Sequence, residues 1–333
     1  MLVVVGAAGA PEYAERFART ADAWRDHAKA ASAKLVLIGR DTPAKTSDRE
    51  RLRAALAKAT ASKEPPPLWV VLVGHGTFDG RTARFNLRGP DVSATELAEW
   101  LARAPSGTVV INGASASAPF LKPLAAPGRI VITATKTGWE RNATRFGEYF
   151  AQALGEVGAD LDRDEAVSVL EAFLAASRKV EAYFEGQGFL TPEHALLDDT
   201  GDGIGTPASF YSGLERTRSA IENAQPDGDR ARQVALLPIP ADALAPREAE
   251  RRDVLEQQLA GLREARSKLR PEVYYARLER ILLELAGLYE QRASDGAGPG
   301  GGGGRDRGND QRAEKQDDDD SVDGQRKAKP RKD

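Results

Sequence analysis

Five short runs rich in β-branched residues, separated by stretches with helical spacing, constrain this chain more than anything else in it. The runs cover residues 2–5, 34–38, 68–73, 108–111 and 129–133. Most of them are apolar throughout rather than alternating, as expected of strands buried on both faces. Between them the spacing predicts helices over 11–32, 47–61 and 93–104, and after the last run over 143–154 and 165–183. Ser93 with Glu96 three residues on is a capping box for the third helix. Repeated strand–helix units with short connections predict a mainly parallel sheet covered on both faces, hence a three-layer α/β domain over residues 1–210.

Beyond that domain the composition changes. Residues 211–245 are polar and then Pro-rich, the pattern of a linker. Over 246–292, Leu255, Leu259, Leu262 and Leu269 form one apolar stripe, and Tyr274, Leu278, Ile281, Leu285 and Leu288 form a second. Pro271 sits between them at a first-turn position, so the spacing predicts an α-helical hairpin able to dock on the domain or to self-associate. Residues 293–333 carry a glycine run, an Asp block and a basic end, the composition of a disordered tail.

Composition removes several functions. With 47 Lys and Arg against 50 Asp and Glu, no overall field draws the chain to nucleic acid or a membrane surface. No run approaches the ~20 apolar residues that span a bilayer. The start, Met1-Leu2-Val3-Val4-Val5, reads as a strand rather than a signal, so the chain as it stands points to the cytoplasm; a missing N-terminal signal would make it exported. There is no cysteine, which excludes disulfides, thiolate metal sites and a thiol nucleophile.

That last absence bears on the strand ends. The run over 68–73 stops at Gly74-His75-Gly76, and the run over 108–111 passes through Asn112-Gly113 into Ala114-Ser115-Ala116-Ser117. The carboxyl end of a parallel strand is where open α/β sheets build sites, and a His beside a small nucleophile is the layout of His-assisted acyl transfer. His75-Gly76 followed by Ala114-Ser115, with Ser117 two residues on, resembles the caspase and legumain superfamily of cysteine endopeptidases. The interval is about 40 residues, near the ~50 of caspases. The resemblance covers residues 1–210 and implies a caspase-like fold. It also implies His75 as the assisting base, Ser115 in the place of the attacking thiol and the Gly76 N–H as an oxyanion donor.

Serine is the departure from that family. A thiol near pKa 8.5 becomes a thiolate readily, whereas a hydroxyl needs a well-placed base and an orienting carboxylate. If the register slips by one, Ala114 occupies the position and no nucleophile remains. Arg84, Arg88 and Asp91, in the segment after the His motif, are candidates to bind a substrate side chain, with a solvated loop as the alternative.

Residues 160–171 carry a separate signal. Asp160, Asp162, Asp164, Ser168 and Glu171 fall at positions 1, 3, 5, 9 and 12 of an EF-hand loop, a spacing that turns oxygens toward Ca²⁺. Glu165 stands where that loop needs glycine, and the alternative is an acidic helix start. The chain requires no other cofactor. The leading expectation is a catalytically impaired peptidase homologue that binds a peptide or protein and acts as a regulatory module. The rivals are a slow endopeptidase-type hydrolase using Ser115 with His75, and an interaction protein working through the hairpin.

Overall fold

The computed structural model describes residues 1–42, 45–62, 65–218, 226–237 and 246–295. The first half follows the expected alternation: β1 (Leu2–Val5), α1 (Pro11–Ala30), β2 (Val36–Ile38), α2 (Asp48–Ala59) and β3 (Trp69–Val73). A small antiparallel sheet comes next, β4 (Gly76–Phe78), β5 (Ala83–Phe85) and β6 (Val92–Ser93), then α3 (Ala94–Trp100) and β7 (Val109–Asn112). The domain continues with α4 (Leu121–Leu124), β8 (Ile130–Thr133), α5 (Phe146–Ala153), α6 (Val169–Gly186), β9 (Leu196–Asp198) and β10 (Thr206–Pro207).

The central sheet has seven strands in the order β10-β9-β8-β7-β3-β1-β2. The five strands from β8 to β2 are mutually parallel, and β9 and β10 close the far edge in antiparallel pairing. Because side chains alternate along a strand, each strand feeds two cores. Val3, Val5, Val71, Ile111 and Ile132 pack with Trp24 of α1, Phe150 of α5 and Phe173 of α6. Leu2, Val4, Val70, Leu72 and Val110 pack with Leu56 of α2, Leu97 of α3 and Leu124 of α4. This is the expected three-layer α/β architecture.

Three helices start as their sequences dictate. Ser47 with Glu50, Ser93 with Glu96 and Ser168 with Glu171 each form a complete capping box, satisfying backbone N–H groups that a helix start leaves open. The last of these places the start of α6 at Val169, four residues after the expected 165.

Within the stretch expected to be a linker, residues 211–218 and 226–237 are described and carry structure. A two-stranded hairpin, β11 (Tyr211–Ser212) with β12 (Glu215–Arg216), is followed by α7 (Asp229–Gln233), whose Ala231 is fully buried in the domain core. Two buried aspartates hook this segment to the end of β9. The Asp199 carboxylate accepts from the N–H groups of Gly228 and Ala231, while Asp227 accepts from the Asp199 N–H at 3.1 Å and from the Thr206 hydroxyl at 2.6 Å. The Pro-rich part of the expected linker, 238–245, lies outside the described residues, as does the expected disordered tail from 296.

The C-terminal hairpin is α8 (Pro246–Glu264) and α9 (Pro271–Asp295). Its two stripes bury each other: Leu255, Leu259 and Leu262 meet Tyr274 and Ile281, with Leu269, Leu278, Leu285 and Leu288 around them. Ion pairs join it to the domain, Arg252 to Asp164 at 2.8 Å, Glu256 to Arg232 at 3.6 Å and Arg263 to Glu215 at 2.7 Å. No described helix is long and apolar enough to cross a membrane.

Candidate functional site

β3 and β7 are neighbours in the sheet, so the turns that leave their carboxyl ends lie side by side. His75 and Ser115 therefore reach the same edge, as the spacing of the motifs requires. No hydrogen bond joins their side chains. The His75 ring is half-buried against α1, 4.6 Å from the Tyr13 ring and 5.1 Å from Phe17, both edge-on. Its Nε2 lies 3.2 Å from the Ala8 carbonyl; a carbonyl only accepts, so Nε2 carries the proton. Burial first, and then the Arg16 guanidinium, lower the pKa of this ring against the opposing effect of the Ala8 bond. The shift favours the neutral ring.

Ser115 is 2% exposed. Its Oγ accepts from the Gly76 N–H at 3.2 Å and donates to the Gly76 carbonyl at 3.2 Å, closing a two-point link between the turns after β3 and β7. The N–H expected to hold an oxyanion is thus engaged by the residue expected to attack. Gly76 permits a close approach, and what approaches is this chain itself: a Cβ there would stand 2.3 Å from the Ser115 carbonyl oxygen. The neighbouring serine is equally enclosed. Ser117 Oγ is fully buried and accepts from the N–H groups of Ala134 and Thr135, which ties the β7 end to the β8 end.

Arg84, Arg88 and Asp91 each have a partner within the chain. Arg84 pairs with Asp79 at 3.0 Å across the β4–β5 turn. Arg88 reaches across to α2, bonding Asp48 at 2.7 Å and the Asp41 carboxylate at 3.3 Å. Asp91 accepts from the Leu87 N–H and closes its own loop.

The acidic loop is only partly assembled. Asp160, Asp162 and Asp164 offer oxygens within 4.8 Å of one another. Glu171 closes onto the same loop: its carboxylate accepts from the N–H groups of Leu161 and Ser168 and from the Ser168 hydroxyl. Glu165 takes the left-handed conformation that glycine would hold, at φ +69. Two arginines sit at the cluster, Arg252 on Asp164 at 2.8 Å and Arg232 on Asp162 at 3.2 Å.

No protein-family model and no curated protein matches the chain. Among solved structures, the crystal structure of the Drosophila initiator caspase Dronc is similar at 12% identity and a TM-score of 0.39. The match covers 61% of this chain and 80% of that one.

The same edge holds residues that the motifs leave unassigned. Trp139 is 62% exposed and packs edge-on against Phe78 at 5.3 Å, with the Arg141 guanidinium 4.6 Å from its ring centre. Arg141 also donates to the Phe78 carbonyl, covering the outer side of β4. The Glu140 carboxylate accepts from the Lys136 N–H and lies 2.8 Å from His194 Nδ1, joining the β8 turn to the approach of β9. Glu193, one residue earlier, is buried and accepts from the N–H groups of Arg145 and Phe146 at the start of α5. These partners are separated by about 50 residues in sequence, and no local pattern announces them.

Proposed function

We propose that this protein is a caspase/legumain-like peptidase homologue that does not hydrolyse peptides and works as a binding module for a peptide or protein. The observation that carries the reading is Ser115: a buried hydroxyl held at both ends by Gly76, with the neutral His75 ring turned to Ala8. A serine nucleophile needs a base within hydrogen-bond reach and free oxyanion donors, and this arrangement supplies neither. The ligand face is the exposed Trp139 with Phe78 and Arg141, because aromatic rings and arginine supply most of the energy at protein contacts.

Incubating the protein with a broad peptide library, read by mass spectrometry, tests the first half. Wild type, Ser115→Ala and Ser115→Cys are all expected to leave the library intact; cleavage by wild type that Ser115→Ala abolishes overturns the reading. For the second half, peptides selected on the wild-type protein are expected to bind Trp139→Ala at least tenfold more weakly. Unchanged binding removes Trp139 from the ligand face.

A second reading places the interaction on the hairpin. Tyr275, Leu282 and Leu283 of α9 stay exposed after its stripe is buried against α8. Sedimentation of the full chain, with and without Leu282→Glu and Leu283→Glu together, tests it: an oligomer that the double change dissolves favours the hairpin.

A further inference from the structure

Away from the strand-end edge, the domain and the hairpin enclose a cavity of about 460 Å³, within the usual ~300–1,000 Å³ of small-molecule sites. One wall is the β11–β12 hairpin with Tyr211, another is α7, and the third is the turn between α8 and α9 with the first turn of α9. Arg216, Arg232, Arg263 and Arg266 line it against Glu215, Asp227 and Asp229, leaving it net positive.

Part of that charge is already matched. Arg263 is paired with Glu215, and Arg216 donates to the Asp227 carbonyl at 3.5 Å. Both carboxyl oxygens of Asp227 are taken by the Asp199 N–H and the Thr206 hydroxyl, and burial pushes this group up to about 7, which weakens its negative charge further. One donor is left over. Arg266 has no carboxylate partner among the described residues and lies over the Tyr274 ring at 5.6 Å. Arg232 holds Asp162 and Glu256 with its terminal nitrogen.

We propose that this cavity binds a small organic anion, a phosphate or carboxylate carried on a flat ring. The anionic group sits on the Arg266 guanidinium, and the ring lies against Tyr274 and Tyr211. Arginine suits planar, two-oxygen recognition of such groups, and the tyrosines supply apolar faces for the ring. The site is independent of the strand-end edge, so it stands whether or not Ser115 is catalytic.

Titration calorimetry on the full chain tests it with three probes: phenyl phosphate, inorganic phosphate and phenol. Phenyl phosphate is expected to bind at sub-millimolar concentration, inorganic phosphate at least tenfold more weakly, and phenol without measurable heat. Arg266→Ala is expected to weaken phenyl phosphate at least tenfold, while Arg277→Ala, an exposed α9 position that does not line the cavity, leaves it unchanged. Tyr274 belongs to the hairpin core, so the exposed Arg266 is the deciding position. Absence of heat with phenyl phosphate, or equal binding by wild type and Arg266→Ala, overturns the proposal.

Discussion

Replacing Ser115 by alanine removes one oxygen that serves two backbone atoms 39 residues away, and the size of the effect separates a structural residue from a nucleophile. Both bonds, at 3.2 Å, are at the long end of their range, so each contributes about 1 kcal/mol net. The substitution also leaves the Gly76 N–H and carbonyl facing a methyl group at a residue only 2% exposed. The sum is a loss of roughly 2 kcal/mol, against which the alanine methyl recovers little. Urea unfolding of the full chain measures it as a lower midpoint at unchanged slope. Cleavage of the peptide library stays at background in both proteins. A loss below about 0.5 kcal/mol would refute the argument, because a hydroxyl that contributes nothing to the fold is free to serve chemistry.

Three further outcomes follow from the same contacts. Gly76→Ala is expected to destabilise more than Ser115→Ala, because its Cβ would meet a backbone oxygen at 2.3 Å; an unfolding midpoint above that of Ser115→Ala would contradict this. Burial pushes Glu193 from its ordinary 4.5 to about 7, so the folded chain holds this proton more tightly than the unfolded one. Its contribution is full below pH 4.5 and lost as pH rises through about 7, roughly 3 kcal/mol in all, and Glu193→Gln is expected to flatten that part of the stability–pH curve. Asp227 titrates in the same window, so some slope persists. Calcium calorimetry is expected to show weak binding that tightens in Arg252→Ala with Arg232→Ala, since both arginines occupy the aspartates; no change in the double variant would remove the loop as a cation site.

Where local chemistry suffices, the amino-acid order was readable. The β-branched runs mark β1, β3, β7 and β8 to within a residue, and the Ser93–Glu96 pair marks the start of α3. The two leucine-rich stripes and Pro271 describe the hairpin, whose helices do bury those faces against each other. β9 and β10 were not legible: three and two residues are too short to show a period, and what makes them strands is pairing with β8 and with each other. The segment from 226 to 237 reads as linker for a similar reason, since Asp227 and Ala231 become buried only where the segment bonds Asp199 and Thr206 across the fold.

The sequence by itself determined the layers, the mainly parallel character of the sheet and the presence of His75 and Ser115 at strand ends, because periodicity and turn residues act over a few positions. Whether those two side chains face each other was decided only by the tertiary structure. The His75 ring is turned by aromatic neighbours on α1 and by the Ala8 carbonyl, and Ser115 is turned by the backbone of Gly76. A rotamer is chosen by whatever atoms the whole fold brings within about 3–5 Å, and those atoms come from segments about 40–70 residues apart.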